Sequence, residues 1–439
     1  MKSDRVPVAI IGGGFSGTII AAQLARRGIA SVLIDGTGRA GKGVAYSTTE
    51  PAHLLNVCAE GMSAWADKPD DFARRFEAEG GDRRGFAQRR LFARYLGDIL
   101  DQAISGGVDV IDGAATGAAR SKGGWRIDFQ GGETIEADAL ILAIGNQEPE
   151  SLGVFAGAGE RYIRNPWGAE ARAAVANLAE TGEAALIVGT GLTMVDLVLS
   201  LDSAGHNGRV VALSRRGLIP RAHAEFEPSP VEEMNLPRGN LRALWRWLRR
   251  RSAEVGWRAA VDSLRPYSHS LWQSLDTDHQ QRFLRHARPW WDVHRHRIAP
   301  EVAQTVAQMV ADGRLEIVAG RIVSARGADR SLEVEYRKRG ASSPQSDRFA
   351  YAFNCTGPLH SIGKTKDPLL RSLLDAGQVR PDHLSIGLEV DGHSRAMGGE
   401  HLWALGPLTK GRYWEIIAVP DIREQAAAVA EDIARELER

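Results

Sequence analysis

Two cysteines among 439 residues, Cys58 and Cys355, are too few and too far apart for a disulfide framework, a zinc knuckle or a C-x-x-C redox pair. A reducing compartment follows, and a cytoplasmic protein is the expectation. No uncharged apolar run reaches the ~18 residues that a membrane span needs. The Val6–Ile11 stretch is shorter than a signal h-region and runs straight into glycines, so export is not expected either. Neither sign of charge is in excess. Lys+Arg and Asp+Glu both count 55, which excludes a surface given over as a whole to nucleic acid or anionic lipid.

What is present in quantity is glycine, 48 residues, clustered just behind apolar runs. With 43% hydrophobic residues the chain has material for two or three cores. The run Val6-Pro-Val-Ala-Ile-Ile11 reads as a strand. Gly12-Gly-Gly14-Phe15-Ser16-Gly17 follows as a turn, and then a helical pattern to Arg27. A second strand, Ser31–Asp35, ends in an acid 18 residues after Gly17. That spacing is a dinucleotide fingerprint: Gly12 for the turn, Gly14 for the approach of a pyrophosphate, Gly17 for close helix packing, and Asp35 for the ribose hydroxyls.

A second copy opens with Ala184–Val188 and continues through Gly189-Thr-Gly191-Leu192-Thr193-Met194 into an apolar helix. Met194 stands where the third glycine belongs. The next strand, Arg209–Leu213, ends not in an acid but in Ser214-Arg215-Arg216-Gly217. Two guanidiniums there suit a 2′-phosphate and predict NADPH over NADH. Two dinucleotide sites of different preference imply hydride transfer between two coenzymes, FAD and NADPH.

The apolar segments Ala139–Asn146 and Ala352–Pro358, each ending in a glycine turn at Gly145 and Gly357, flank the second fingerprint and are expected to mark the crossings between domains. The predicted architecture is α/β, with two Rossmann-like dinucleotide-binding domains, the second inserted in the first. Residues 1–158 and 346–439 form the FAD domain, and 159–345 the NADPH domain with a helical insertion at about 228–300. That insertion holds Trp245, Trp247, Trp257, Trp272, Trp290 and Trp291 among many arginines. It reads as packing onto the nucleotide domain, combined with a lid, ahead of a membrane-surface or nucleic-acid face. His294 and His296 lie two apart, do not share a helix face, and have no evident further ligands, so no metal is expected.

Beyond the fingerprints, Gly41-Lys-Gly43-Val-Ala45-Tyr46-Ser47-Thr48, Pro51-Ala-His53-Leu-Leu55-Asn56-Val57 and Met62-Ser63 resemble the signature of a bacterial FAD/NAD(P)-binding oxidoreductase family. Similar pieces recur nearly to the end of the chain: Ser214–Arg221, Arg297–Pro300, Asn354–Pro358, Leu405-Gly406-Pro407, Trp414-Glu415 and Pro420–Arg423. Cys58 departs from the proline usual there, leaving a reactive thiol or a small buried filler as readings. More distantly the plan is similar to NADPH-dependent flavin monooxygenases, including N-hydroxylating ones. The resemblance implies FAD on the first domain and the C-terminal segment, with Gly43, Tyr46, His53 and Asn56 near the isoalloxazine. It also implies a last flavin-binding turn at Gly406-Pro407. His53 is either an acid/base or a cap on local backbone. The expected activity is a flavoprotein monooxygenase acting with O2 on a small, amino-containing substrate. An NADPH:acceptor reductase and a flavin-based redox sensor are the other readings.

Overall fold

The computed structural model describes residues 5–438. Two seven-stranded sheets carry the chain. In the first, β1 (Val6–Ile11), β2 (Ser31–Asp35), β3 (Val108–Asp112), β4 (Ala115–Ser121), β5 (Gly124–Phe129) and β6 (Thr134–Leu142) run in the order β3-β2-β1-β6-β5-β4. The nucleotide-binding half, β3-β2-β1-β6, is parallel, whereas β4, β5 and the start of β6 form an antiparallel meander. The second sheet contains β7 (Tyr162–Ile163), β8 (Ala185–Val188), β9 (Val210–Ser214), β10 (Leu315–Ala328), β11 (Ser331–Lys338), β12 (Gln345–Phe349) and β13 (Tyr351–Asn354), in the order β12-β11-β10-β9-β8-β13-β7. Then β14 (Leu402–Ala404) returns to the first sheet beside β6.

Both sheets are buried on two faces, which is why their central strands read as continuous apolar runs. Side chains alternate across the pleat: Val8 and Ile10 enter one core, Ala9 and Ile11 the other. In the second sheet Ala185 and Ile187 face one core, Leu186 and Val188 the opposite one. The helix Phe15–Ala25 lies on the first sheet with the C-terminal helix Val419–Leu437, and their apolar residues share one cluster.

The boundary expected at residue 346 lies later. β12 and β13 pair within the second sheet, β13 beside β8, so the chain returns to the first domain only past Asn354. A short strand followed by Gly-Pro looks alike in either sheet, and only the pairing partner decides. Phe155 and Ala158, placed in the first domain on sequence, are buried with the second domain's core.

The segment from Leu241 to Arg295 is a run of helices, as the spacing of Leu241, Leu244, Trp245 and Leu248 predicts. It is fastened to the C-terminal segment of the first domain. Trp272 donates from Nε1 to the Gly411 carbonyl at 2.8 Å, and Trp272 and Trp414 stack at 4.8 Å. Glu415 accepts from Trp291 Nε1 and from Arg295 Nε, the latter at 2.9 Å. Glu415 holds φ +72, a left-handed conformation that these contacts sustain. Among the described residues, no helix is long and apolar enough to cross a membrane.

Candidate dinucleotide sites and the domain interface

Both fingerprints fold as strand, turn and helix. Gly12 has φ +107, and a Cβ on it would lie 2.6 Å from the Ala143 carbonyl oxygen. A Cβ on Gly17 would sit 1.8 Å from the Gly12 oxygen, so helix and strand touch only because neither residue has a side chain. Gly14 is different. It occupies the N-cap of the helix Phe15–Ala25, and a Cβ there would meet only the Gly43 Cα, at 3.7 Å. The unpaired N–H groups of that helix end therefore have a backbone-lined cradle before them, as a pyrophosphate requires. Phe15 and Ser16 are buried, Phe15 beside Phe92, and a Cβ on Gly406 would come within 2.6 Å of Ser16 Oγ. The Gly406-Pro407 turn thus closes on the first fingerprint.

Asp35 is buried at the end of β2. Its carboxylate accepts from Thr37 Oγ1 at 2.9 Å and from the Arg39 amide at 2.9 Å, shaping the loop that leads to Gly43. Gly43, with a would-be Cβ 2.8 Å from the Gly14 Cα, packs on the cradle itself. Ala45 is exposed and Tyr46 half-buried. Burial pushes the Tyr46 hydroxyl up to about 12 against the opposing pull of Arg89, so it is a neutral donor at physiological pH.

In the second fingerprint Gly189 has φ +115, and a Cβ on it would lie 2.1 Å from the Cys355 carbonyl oxygen. Gly191 caps the helix Leu192–Ser203 and meets nothing within 4 Å. Leu192 and Thr193 are half-buried in its first turn, and Met194 is fully buried in the core beneath. The wider spacing left by Met194 is thereby filled. Ser214 is not free for a ligand. Its Oγ meets Thr190 Oγ1 at 2.9 Å and accepts from the Gly217 amide at 3.0 Å.

The two arginines part company. Arg216 donates to the His286 carbonyl at 3.4 Å and lies over the Trp290 ring at 5.9 Å, so it holds the helical insertion. Arg215 is exposed, and among the described residues no carboxylate pairs with it. Burial, and then the fields of Arg288, Lys410 and Arg215, disfavour the charged form of the His360 ring, and Lys410 lies in the field of Arg288. Burial, with Arg288 adding to it, brings the Lys410 ammonium down to about 8. Lys410 lines a crevice with Gly145, Asn146, Leu359 and Pro407, where the inter-domain segments and the C-terminal turn meet. Gly145 and Gly357 have open space about their Cα atoms. Sequence reasoning missed Lys410, His360 and Arg288, which share no motif.

His53 is 4% exposed, and both ring nitrogens are hydrogen-bonded. Nε2 donates to the Asp196 carbonyl at 2.9 Å, and Nδ1 meets Thr48 Oγ1 at 2.8 Å. Because a carbonyl can only accept, the proton sits on Nε2 and Nδ1 accepts from Thr48. His53 joins the first domain to the helix of the second fingerprint. Arg89 converges on the same residue, with Nη1 and Nη2 on the two Asp196 oxygens at 3.0 and 2.7 Å and Nε on the Leu54 carbonyl at 3.1 Å. Asn56 takes part through its carbonyl, which accepts from His223 Nε2 at 3.0 Å. Its side chain makes no hydrogen bond among the described residues and is half-buried. Leu55 is buried in the first core, and Leu54 packs with the second.

Cys58 and Cys355 are both free. Burial, and then the Glu60 carboxylate, push the Cys58 thiol up, and burial does the same for Cys355, so neither favours thiolate. His294 Nδ1 lies 2.7 Å from the Trp290 carbonyl, while His296 faces Glu415 at 3.9 Å. Among the described residues no group of three or more His, Cys, Asp or Glu is placed to hold a metal.

Two glycine-cradled helix ends, one on each sheet, have the geometry of paired dinucleotide sites. Residues 9–147 match the model of a family described as FAD-NAD(P)-binding, so the first of those sites is an FAD/NAD(P)-binding domain. No curated protein matches the chain in sequence. Among solved structures the chain is similar to ornithine hydroxylase from Pseudomonas aeruginosa in its reduced form, at 13% identity and TM-score 0.66, with 99% of this chain and 100% of that one covered. It is equally similar to L-lysine 6-monooxygenase from Pseudomonas syringae, at 17% identity and TM-score 0.66 over 98% and 99%. The thioredoxin reductase of T. acidophilum also shares the fold, at 12% identity and TM-score 0.54 over 98% of each chain. At these identities the likeness is one of fold.

Proposed function

We propose that this FAD/NAD(P)-binding oxidoreductase holds FAD at the first fingerprint and NADPH at the second, and that it is a flavoprotein monooxygenase acting on a small, amino-containing substrate. The observation that carries it is the pair of cradles: Gly12, Gly17 and Gly189 admit no Cβ, while Gly14 and Gly191 leave their helix N-termini open. Bound FAD would supply a two-electron acceptor and a centre that reacts with O2. The chain's own residues do the rest. The first-turn amides behind Gly14 and Gly191 bind phosphates. Arg215 reads the 2′-phosphate, and Lys410 and Arg288 draw the remaining negative charge towards the crevice between domains. The insertion, bolted to Gly411 and Glu415, excludes water from that junction.

Oxygenation is favoured over disulfide reduction by the cysteines. Cys58 and Cys355 are unpaired and both disfavour thiolate, so the chain offers no dithiol relay. The similar ornithine and lysine monooxygenases motivate amines as the first substrates to try. The experiment is to record the visible spectrum of the purified protein and follow its bleaching by NADPH and by NADH without oxygen. Ornithine, lysine and simple amines are then supplied in air and oxygenated product is sought. A colourless protein that takes up no flavin sinks the reading. Rapid turnover of quinones or ferric chelates, with only peroxide formed from every amine, would favour the acceptor reductase instead.

A further inference from the structure

Away from the dinucleotide sites, one helix of the insertion concentrates positive charge. Leu241–Val255 carries five arginines and one glutamate in a chain whose net charge is zero. Arg242, Arg246, Arg249 and Arg250 are all exposed, and their i, i+4, i+7, i+8 spacing puts them on one stripe about 12 Å long. Among the described residues none of the four meets a carboxylate. Arg246 reaches only the Arg242 carbonyl, at 3.4 Å, and the glutamate of the helix, Glu254, turns to Arg251 at 3.6 Å. Other surface helices neutralise their arginines one turn away, as in Arg74–Asp70, Arg371–Asp375 and Arg435–Glu431. Here the neighbours one turn apart, Arg242 with Arg246 and Arg246 with Arg250, have like sign and repel. The other side of the helix is anchored. Leu248 is buried, Leu244 and Trp245 pack half-buried on the apolar cluster of the insertion, and Asn240 caps the first turn by accepting from the Ala243 amide at 3.0 Å. Trp247, also half-buried, lies at the margin between that apolar face and the stripe.

We infer that this stripe docks the protein on an anionic membrane surface, the four guanidiniums meeting lipid phosphates and Trp247 lying at headgroup level. The contact is peripheral, since no helix among the described residues can cross a bilayer. A plane of phosphates satisfies a straight stripe on the convex side of a helix, and it needs no pocket to do so. Nucleic acid fits less well. A single strand needs rings on which to stack its bases, and the tryptophans of this helix lie at the margin of the stripe or beneath it. A protein partner would need an apolar anchor at the centre of its footprint, whereas the residues between the arginines are Ala243 and Ala253. The inference rests on the stripe alone and is independent of the proposed flavin chemistry.

The full-length protein is sedimented with vesicles of phosphatidylcholine alone and with vesicles in which about a third of the lipid is phosphatidylglycerol. Saturable binding is expected to the anionic vesicles only. It should fall at least about tenfold when NaCl is raised from about 0.05 to about 0.5 M, because the screening length shortens. Arg242→Gln, Arg246→Gln, Arg249→Gln and Arg250→Gln should each weaken partitioning about fivefold, and all four together should abolish it. Glutamine keeps the helix propensity, and circular dichroism checks that each variant is folded. As a control, Arg321, Arg326, Arg330 and Arg339, exposed in and beside the β10–β11 hairpin, are changed to glutamine. That removes the same charge elsewhere and should leave binding within about twofold of wild type. If the fourfold stripe variant fails to fold, the single variants and the salt dependence decide. Equal binding to neutral vesicles, no saturable binding to anionic ones, or a control variant that loses as much as the stripe variant would overturn the docking site. Single-stranded DNA that binds more tightly and displaces the vesicles would also overturn it, giving the stripe to nucleic acid. So would self-association abolished by the stripe substitutions, which would give the stripe to a second copy of the chain.

Discussion

The divergence of Arg215 from Arg216 shows how little adjacency means for side-chain role. Both sit where a dinucleotide domain discriminates NADP from NAD, yet Arg216 is committed to His286 and Trp290 while Arg215 reaches solvent. Arg215→Ala is therefore expected to cut the preference for NADPH at least about tenfold, with the rate of bleaching by NADH unchanged, since a charge-assisted contact is worth roughly 1.5–3 kcal/mol. Arg216→Ala should leave the preference standing and instead lower the melting temperature. A second expectation concerns Lys410. Burial lowers its ammonium to about 8, so it is charged at pH 7 and loses its proton as pH rises through about 8. NADP+ should bind progressively more weakly from pH 7 to 9, with Lys410→Met removing that step; calorimetric titration across the range provides the check. A wild-type affinity flat through pH 8 would remove Lys410 from the site.

Among the elements, the helix Leu192–Ser203 does two jobs at once. Its N-terminus is the second cradle, and four residues further on Asp196 anchors the first domain through His53 and Arg89. The Arg89–Asp196 pair is buried on both sides, at 9% exposure each. Removing one partner of such a pair leaves an uncompensated buried charge, a cost of about 3–5 kcal/mol. Arg89→Ala should therefore unfold at markedly lower denaturant, while replacing both residues by apolar ones of similar size should recover much of the loss. His223 acts across the same seam. Burial lowers it to about 4 from its usual 6.5, against the pull of the Asn56 carbonyl. Between those values the unfolded chain binds the proton and the folded chain does not, so stability should fall as pH drops from about 6.5 to about 4. His223→Gln should flatten that slope in chemical denaturation, and an unaltered slope would place the titration elsewhere.

For the molecule as a whole, the seam is a lock. A buried bidentate ion pair, a buried histidine and the packing of Ala52, Leu54 and Phe86 into the second core hold the two sheets in one relation. The insertion clamps the same junction from outside through Trp272, Trp291 and Arg295. Hydride transfer is then expected without rotation of one domain against the other. Solution scattering should be the same with and without NADP+, and a covalent tether between the domains should leave bleaching by NADPH at its untethered rate. A large change in scattering on adding NADP+ would refute the lock.

Much of this was legible in the residues alone because it is local. Glycine spacing behind a β-branched strand dictates a turn that carries no Cβ, and unbroken apolar strands announce a sheet covered on both sides, so the two fingerprints, the order of domains and the helical insertion could all be read directly. The tertiary structure alone decided which residues meet. Arg89 finds Asp196 across 107 positions, His53 reaches the same residue through Nε2, β13 joins the second sheet, and Lys410 lines a crevice between the inter-domain segments and the C-terminal turn. No periodicity encodes those meetings, because burial makes a charge or a donor seek whatever partner the packing brings near, however distant along the chain.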